Sequence, residues 1–191
     1  MLVALEGSSP TIRGENNYQF YVWQYYNNTV QRPKLYEIGP AMFSVSDSLV
    51  NIRKMANKAT AFINANSGKV FLVGWSRGAA ACIQVAHDLK RQGTKKIDAM
   101  FLFDAVDQDT STNSDLNYIP DSVTNVYHAI ATDKNWFWRR IFPTCGQTAA
   151  SGVNLVTREF HVSHGAIAGA DGDDGGSKAW MDNYLKAEGV I

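Results

Sequence analysis

Ser76, His164 and the aspartates Asp104 and Asp133 are residues whose types and order could carry out acyl transfer. Ser76 lies in Gly74-Trp75-Ser76-Arg77-Gly78, after the apolar run Val70-Phe71-Leu72-Val73 and before Ala79-Ala80-Ala81. A serine hydroxyl is a weak nucleophile until a neighbouring base takes its proton. A Gly-x-Ser-x-Gly turn between a buried strand and a helix exposes that hydroxyl on a strained backbone, and the flanking glycines keep side chains out of the crossing of strand and helix. The bare pattern arises by accident in chains of this size. Here the apolar run suits a strand buried on both faces of a parallel sheet, and the alanines suit the start of a helix.

The base and the acid should follow in the order serine, acid, histidine, each at the C-terminal end of a later strand. His164 lies in Phe160-His-Val-Ser-His-Gly-Ala-Ile-Ala-Gly169, where small residues would let an imidazole reach Ser76. His161 is its close rival, and strand alternation turns it elsewhere. His87 falls on a helix and His128 inside a strand, which weakens their claims. Two aspartates end strands in the required stretch: Asp104 closes Ala99-Met-Phe-Leu-Phe-Asp104, and Asp133 closes Val126-Tyr-His-Ala-Ile-Ala-Thr-Asp133. Either could orient His164. The oxyanion would take the backbone N–H of Arg77 and an N–H from the turn Glu6-Gly7-Ser8-Ser9, where Gly7 permits close approach. The Arg77 side chain suits a structural ion pair better than a substrate contact.

Strand-like runs at Leu2–Leu5, Leu35–Ile38, Val70–Val73, Ala99–Phe103, Val123–Ala131 and Val153–Phe160 must position these groups. Helical spacing of apolar residues marks Val45–Asn66, with Ser46 or Asp47 as cap, then Ser76–Gln92 and Lys178–Glu188. Strands alternating with helices predict a mainly parallel sheet covered on both faces, and 191 residues suit one domain over the whole chain. The aromatic segment Asn16–Asn28 is expected to pack on the sheet, although a binding surface is conceivable. Val106–Asp121 reads as a polar surface loop, and Gly169–Gly176 as a solvated acidic turn whose spacing fits no known calcium loop.

A formal net charge of zero gives no reason to expect nucleic acid as partner, and no apolar run approaches the ~20 residues of a membrane span. Transient membrane contact stays open. Cys82 and Cys145 read as free thiols. Met1–Leu5 lacks a basic n-region and reads as a core strand instead of a signal peptide. A cytoplasmic protein, or one exported by a non-classical route, is the expectation.

Taken in order, these motifs resemble the α/β-hydrolase domain of the type VI secretion lipase effectors and their bacterial relatives. Gly74-Trp-Ser-Arg-Gly-Ala79 differs from that family's Gly-Phe-Ser-Arg-Gly-Ala by one aromatic exchange. Asp104-Ala-Val106 is similar to its Asp-Thr-Val, and His128-Ala-Ile-Ala-Thr-Asp133 to its His-Ala-x-Ala-x-Asp, with Arg139, Arg140 and Phe142-Pro143 downstream. Phe160-His-Val-Ser-His164 resembles Phe-x-Gly-x-His, with Gly169 left of the glycine cluster that follows it, and Glu6-Gly7-Ser8 resembles Asp-Gly-Thr. The resemblance implies an α/β-hydrolase-like three-layer sandwich and a serine esterase, in effector members a phospholipase A. It also implies a Ser-Asp-His triad of Ser76, Asp104 and His164 and no cofactor, and it places Asp104 ahead of Asp133. The chain departs from the family in its shortness, which leaves no room for lid or membrane-binding insertions, and at Glu6, Val162 and Ala168. The order of motifs is also similar to fungal-type triacylglycerol lipases, so the substrate expectation is a lipid or small acyl ester. A thioesterase, an amidase, or a binding module that has lost turnover are the alternatives.

Overall fold

A computed structural model of the chain describes residues 1–8, 20–39, 51–107, 112–133 and 143–191. Among the described residues, six parallel strands form the main sheet: β1 (Leu2–Leu5), β2 (Lys34–Glu37), β3 (Phe71–Trp75), β4 (Ile97–Phe103), β6 (Val123–Ala131) and β8 (Asn154–Phe160). Their order across the sheet is β2-β1-β3-β4-β6-β8. A second, two-stranded sheet joins β5 (Tyr118–Ile119) to β7 (Thr148–Ala149). The helices among the described residues are α1 (Tyr21–Asn28), α2 (Asn51–Ala65), α3 (Arg77–Gln92) and α4 (Ser177–Ala187), and a 3-10 turn covers Ala166–Ala168.

Side chains of a strand alternate between faces, so a sheet covered on both sides needs apolar residues at every position. The central strands meet that need and feed two cores. Val3, Leu5, Leu72, Met100 and Leu102 pack under α2 and α3. Leu2, Ala4, Phe71, Val73, Phe101 and Phe103 pack under α1 and α4. The result is a three-layer α/β sandwich with a mainly parallel central sheet. Among the described residues no helix is long and apolar enough to cross a membrane.

The strand order reverses at β1 and β3: from β1 the chain steps outward to β2, then returns and proceeds through β3 to β8. In parallel sheets the crevice at such a switch point lies beyond the carboxyl ends of the strands, which is where loops from both halves converge. Gly7 follows β1 and Ser76 follows β3 at that crevice.

Several elements differ from the sequence reading. β3 runs on through Gly74 and Trp75, because Gly74 pairs with both Leu5 and Leu102 and Trp75 with Phe103. α2 is described from Asn51, and residues 45–50, with the expected caps, lie outside the described residues. So do residues 16–19 of the aromatic segment, 108–111 of the polar stretch, and Arg139, Arg140 and Phe142. The polar stretch is not all surface loop: Leu116 and Ile119 are buried, and Tyr118–Ile119 pairs with Thr148–Ala149. Two apolar side chains and a remote pairing partner decided that segment against its composition. The described aromatics of α1 do pack on the sheet, with Tyr25 stacked 6.2 Å from Phe103. In the acidic turn, Asp174 accepts from Tyr21 Oη and from the backbone N–H groups of Gly176 and Lys178. Cys82 and Cys145 are buried, free thiols.

Glu6 closes β1 fully buried. Desolvation pushes its carboxyl from the ordinary 4.5 up to about 7, against the pull of hydrogen bonds from Tyr36 and from the backbone of Gly7 and Trp23. The folded protein therefore keeps this proton over a range in which the unfolded chain has lost it. Stability from Glu6 is full below pH 4.5 and declines up to about pH 7. The span corresponds to about 3 kcal/mol. Glu6→Gln should flatten that decline and raise stability at pH 8, read by urea unfolding at pH 5 and pH 8. A decline of unchanged size in the variant would contradict the assignment. The close crossing of α3 over β1 gives a second test. A Cβ on Gly78 would overlap the Leu5 carbonyl oxygen, and backbone must then move. Gly78→Ala should cost about 2 kcal/mol or more in the same assay, and a neutral effect would show that the crossing has slack.

Candidate active site

The site is built from three turns at the carboxyl ends of β3, β4 and β8, with a fourth after β1. Ser76 links β3 to α3 at φ 56° and ψ −122°, a conformation rare for a residue with a Cβ. Its neighbours make the strain sustainable. A Cβ on Gly74 would meet the Ala79 nitrogen at 2.7 Å, and Gly78 has no room against β1, so the helix can leave the strand in one tight step only because both residues are glycine.

Asp104 makes the corresponding turn after β4, at φ 40°. Ser76 and Asp104 are the only non-glycine residues at positive φ among the described residues. The two turns are joined: Ser76 N–H donates to the Phe103 carbonyl at 2.9 Å, and Val106 N–H donates to the Ser76 carbonyl at 3.2 Å. His128 secures the second turn from β6. Its Nε2 accepts from the Ala105 N–H at 3.2 Å, so the proton sits on Nδ1, which donates to the Gly146 carbonyl at 3.1 Å. A fully buried imidazole thus satisfies the turn's Ala105 N–H and joins it to the Gly146 carbonyl of the segment before β7.

His164 lies four residues past β8 and reaches back to both turns. Its Nδ1–H donates to Asp104 Oδ2 at 2.6 Å, and its Nε2 accepts from Ser76 Oγ at 2.9 Å. A carboxylate can only accept, which fixes the tautomer and leaves the Nε2 lone pair facing the hydroxyl. Asp104 is 0 % exposed, Ser76 6 %, and the His164 side chain 35 %, so the chain of bonds runs from a dry acid to a solvent-reachable base. The other candidates lie apart. Asp133 and His161 are both exposed and line a hollow with Asp171 and Asp173. His87 Nε2 faces the carbonyls of Asp115 and Tyr118.

The turn after β1 lies against the nucleophile. A Cβ on Gly7 would come within 3.1 Å of the Ser76 Cβ and 2.6 Å of the Trp75 ring. The Gly7 N–H points at Glu6 Oε1 at 3.3 Å, a long bond. Ser8 follows it, and Arg77, the residue after Ser76, opens α3. The Arg77 side chain is buried. Among the described residues no three His, Cys, Asp or Glu side chains are grouped to hold a metal ion.

An arrangement of this kind can move a proton from the Ser76 hydroxyl to the His164 imidazole. Sequence reasoning named its three side chains, but gave no role to Glu6, His128 or the Trp75 ring. A histidine inside a central strand was the available signal for His128. Glu6 and Trp75 carried none beyond their departure from a family pattern.

No protein-family model matches the chain, and no curated protein matches it in sequence. Solved structures do match it in shape. A protein described as a YdeN-like hydrolase from Pectobacterium atrosepticum superposes with a TM-score of 0.52 at 14% identity, covering 100% of this chain and 92% of its own. The NocB thioesterase domain, solved in covalent complex with a fluorophosphonate nocardicin G analogue, gives 0.54 at 12% identity, covering 97% and 93%. The Vlm2 thioesterase domain gives 0.53 at 10% identity, covering 100% and 94%. At such identities the likeness concerns the fold, and the fold is that of the α/β-hydrolases.

Proposed function

We propose that residues 1–191 form a single α/β-hydrolase domain that cleaves a carboxylic ester of a lipid or small acyl compound through an acyl-enzyme. The observation that supports this is the unbroken chain from Asp104 Oδ2 through His164 to Ser76 Oγ, at 2.6 Å and 2.9 Å. Ser76 Oγ attacks the acyl carbonyl as His164 Nε2 takes its proton, and Asp104 holds the imidazolium that forms. The N–H of Arg77 and an N–H of the Gly7-Ser8 turn receive the oxyanion. The tetrahedral intermediate collapses, the leaving oxygen takes the proton back from Nε2, and the acyl group remains on Ser76. Water then enters with the same base and releases the acid. The motif resemblance to lipase effectors supports a lipid ester.

Thioester cleavage is a second reading with equal support, since two of the matched structures are thioesterase domains and the triad acts on any acyl carbonyl. A panel of oxygen esters and thioesters of equal acyl length separates the two by kcat/KM. On the preferred substrate, Ser76→Ala and His164→Ala should each lower kcat by about 10⁴-fold or more, and Asp104→Asn by about 10⁴-fold, with folded far-UV spectra. Asp133→Asn should leave kcat near that of the wild type. Full activity in Ser76→Ala would refute the proposal, and a loss confined to Asp133→Asn would reassign the acid.

A further inference from the structure

Trp75, the residue before the nucleophile, reaches two of the other turns at once. Its indole N–H donates to the main-chain carbonyl of His164 at 3.0 Å. Its ring lies 5.6 Å from the imidazole, and its six-membered edge fills the space that a Cβ on Gly7 would need. Phe20 backs the indole at 5.4 Å, leaving Trp75 only 4 % exposed.

His164 needs such a contact because it lies beyond the end of β8, on a loop instead of a strand. Its neighbours are held elsewhere: the Val162 carbonyl accepts from the Asp133 N–H, and Ser163 Oγ donates to Asp171. Apart from the Ser76 hydroxyl itself, the hydrogen bond that holds the imidazole is the one from Nδ1 to Asp104, and a shift of the loop can still carry Nε2 away from Ser76. A second grip on the carbonyl of the same residue removes that freedom. The donor comes from the chain segment that carries the nucleophile, so base and nucleophile move together. Phenylalanine at this position would fill the space without supplying the N–H.

Resting on the reading of Ser76 and His164 as nucleophile and base, we infer that Trp75 is a positioning residue for acyl transfer. Its indole N–H holds the His164 loop in register with Ser76, and its ring sets how closely the Gly7 turn approaches the hydroxyl.

The test compares the wild type with Trp75→Phe and with a protein carrying benzothienylalanine at position 75, which keeps the shape of the ring system and lacks the N–H. Each is assayed for hydrolysis of a small p-nitrophenyl ester and for inactivation by an alkyl fluorophosphonate. Both replacements should lower kcat and the maximal inactivation rate by about 10-fold or more, with KM and the reversible inhibitor constant unchanged. Should Trp75→Phe fold poorly, the benzothienyl protein carries the test alone. Wild-type rates in that protein, or a change confined to KM, would overturn the inference while leaving the triad intact. A folded wild type that neither turns over nor reacts with the fluorophosphonate would overturn the reading of the site and this inference with it.

Discussion

Two backbone hydrogen bonds, from Ser76 N–H to the Phe103 carbonyl and from Val106 N–H to the Ser76 carbonyl, tie together the strained turns at Ser76 and Asp104. A residue with a Cβ at positive φ costs of order 1 to 3 kcal/mol and persists only where its surroundings over-determine it. Here the turns at Ser76 and Asp104 brace each other. Each also leans on something rigid: the first on the crossing of α3 over β1 at Gly78, the second on the buried His128. Because β3 and β4 are adjacent and parallel, bracing the turns fixes the distance between the hydroxyl and the carboxylate. Only His164 remains to be brought in, and its loop spans the two.

Burial divides the polar groups of this region into those held in place and those left free to act. Asp104 has no exposure, yet its Oδ2 meets the imidazole N–H, so the acid is not stranded in a dry interior. Glu6, equally buried, has no cation among its hydrogen-bond partners in the described residues, and desolvation raises its carboxyl to about 7. It closes the strand that leads to the Gly7 turn, where the carboxyl accepts from Tyr36 and the adjacent backbone. The strained and desolvated groups thus cluster at the carboxyl ends of β1, β3 and β4, the place where a doubly covered parallel sheet leaves a crevice.

How much of this was legible in the sequence depended on whether a feature was local. The apolar run before Gly74 and the small residues after Gly78 specify strand, turn and helix within some fifteen residues, and the structure follows them closely. His164 was legible through its order in the chain and the glycine and alanine around it. The order of preference between Asp104 and Asp133 was legible mainly through the family resemblance, because both end strands, and the three-dimensional path of the loop after β8 turns the imidazole toward the first. The short pairing of Tyr118–Ile119 with Thr148–Ala149 was hidden in a polar stretch. Its partner lies about thirty residues away. The contacts of Trp75 with His164 and Gly7 likewise join segments that sequence spacing cannot relate.

The most direct test of the account is to quench the reaction of the wild-type protein with an activated ester during turnover and to measure the mass of the intact chain and its peptides. The account predicts one added acyl group, carried by the peptide containing Ser76 and absent when Ser76 is alanine. Turnover with no covalent adduct, or an adduct on a residue other than Ser76, would contradict it.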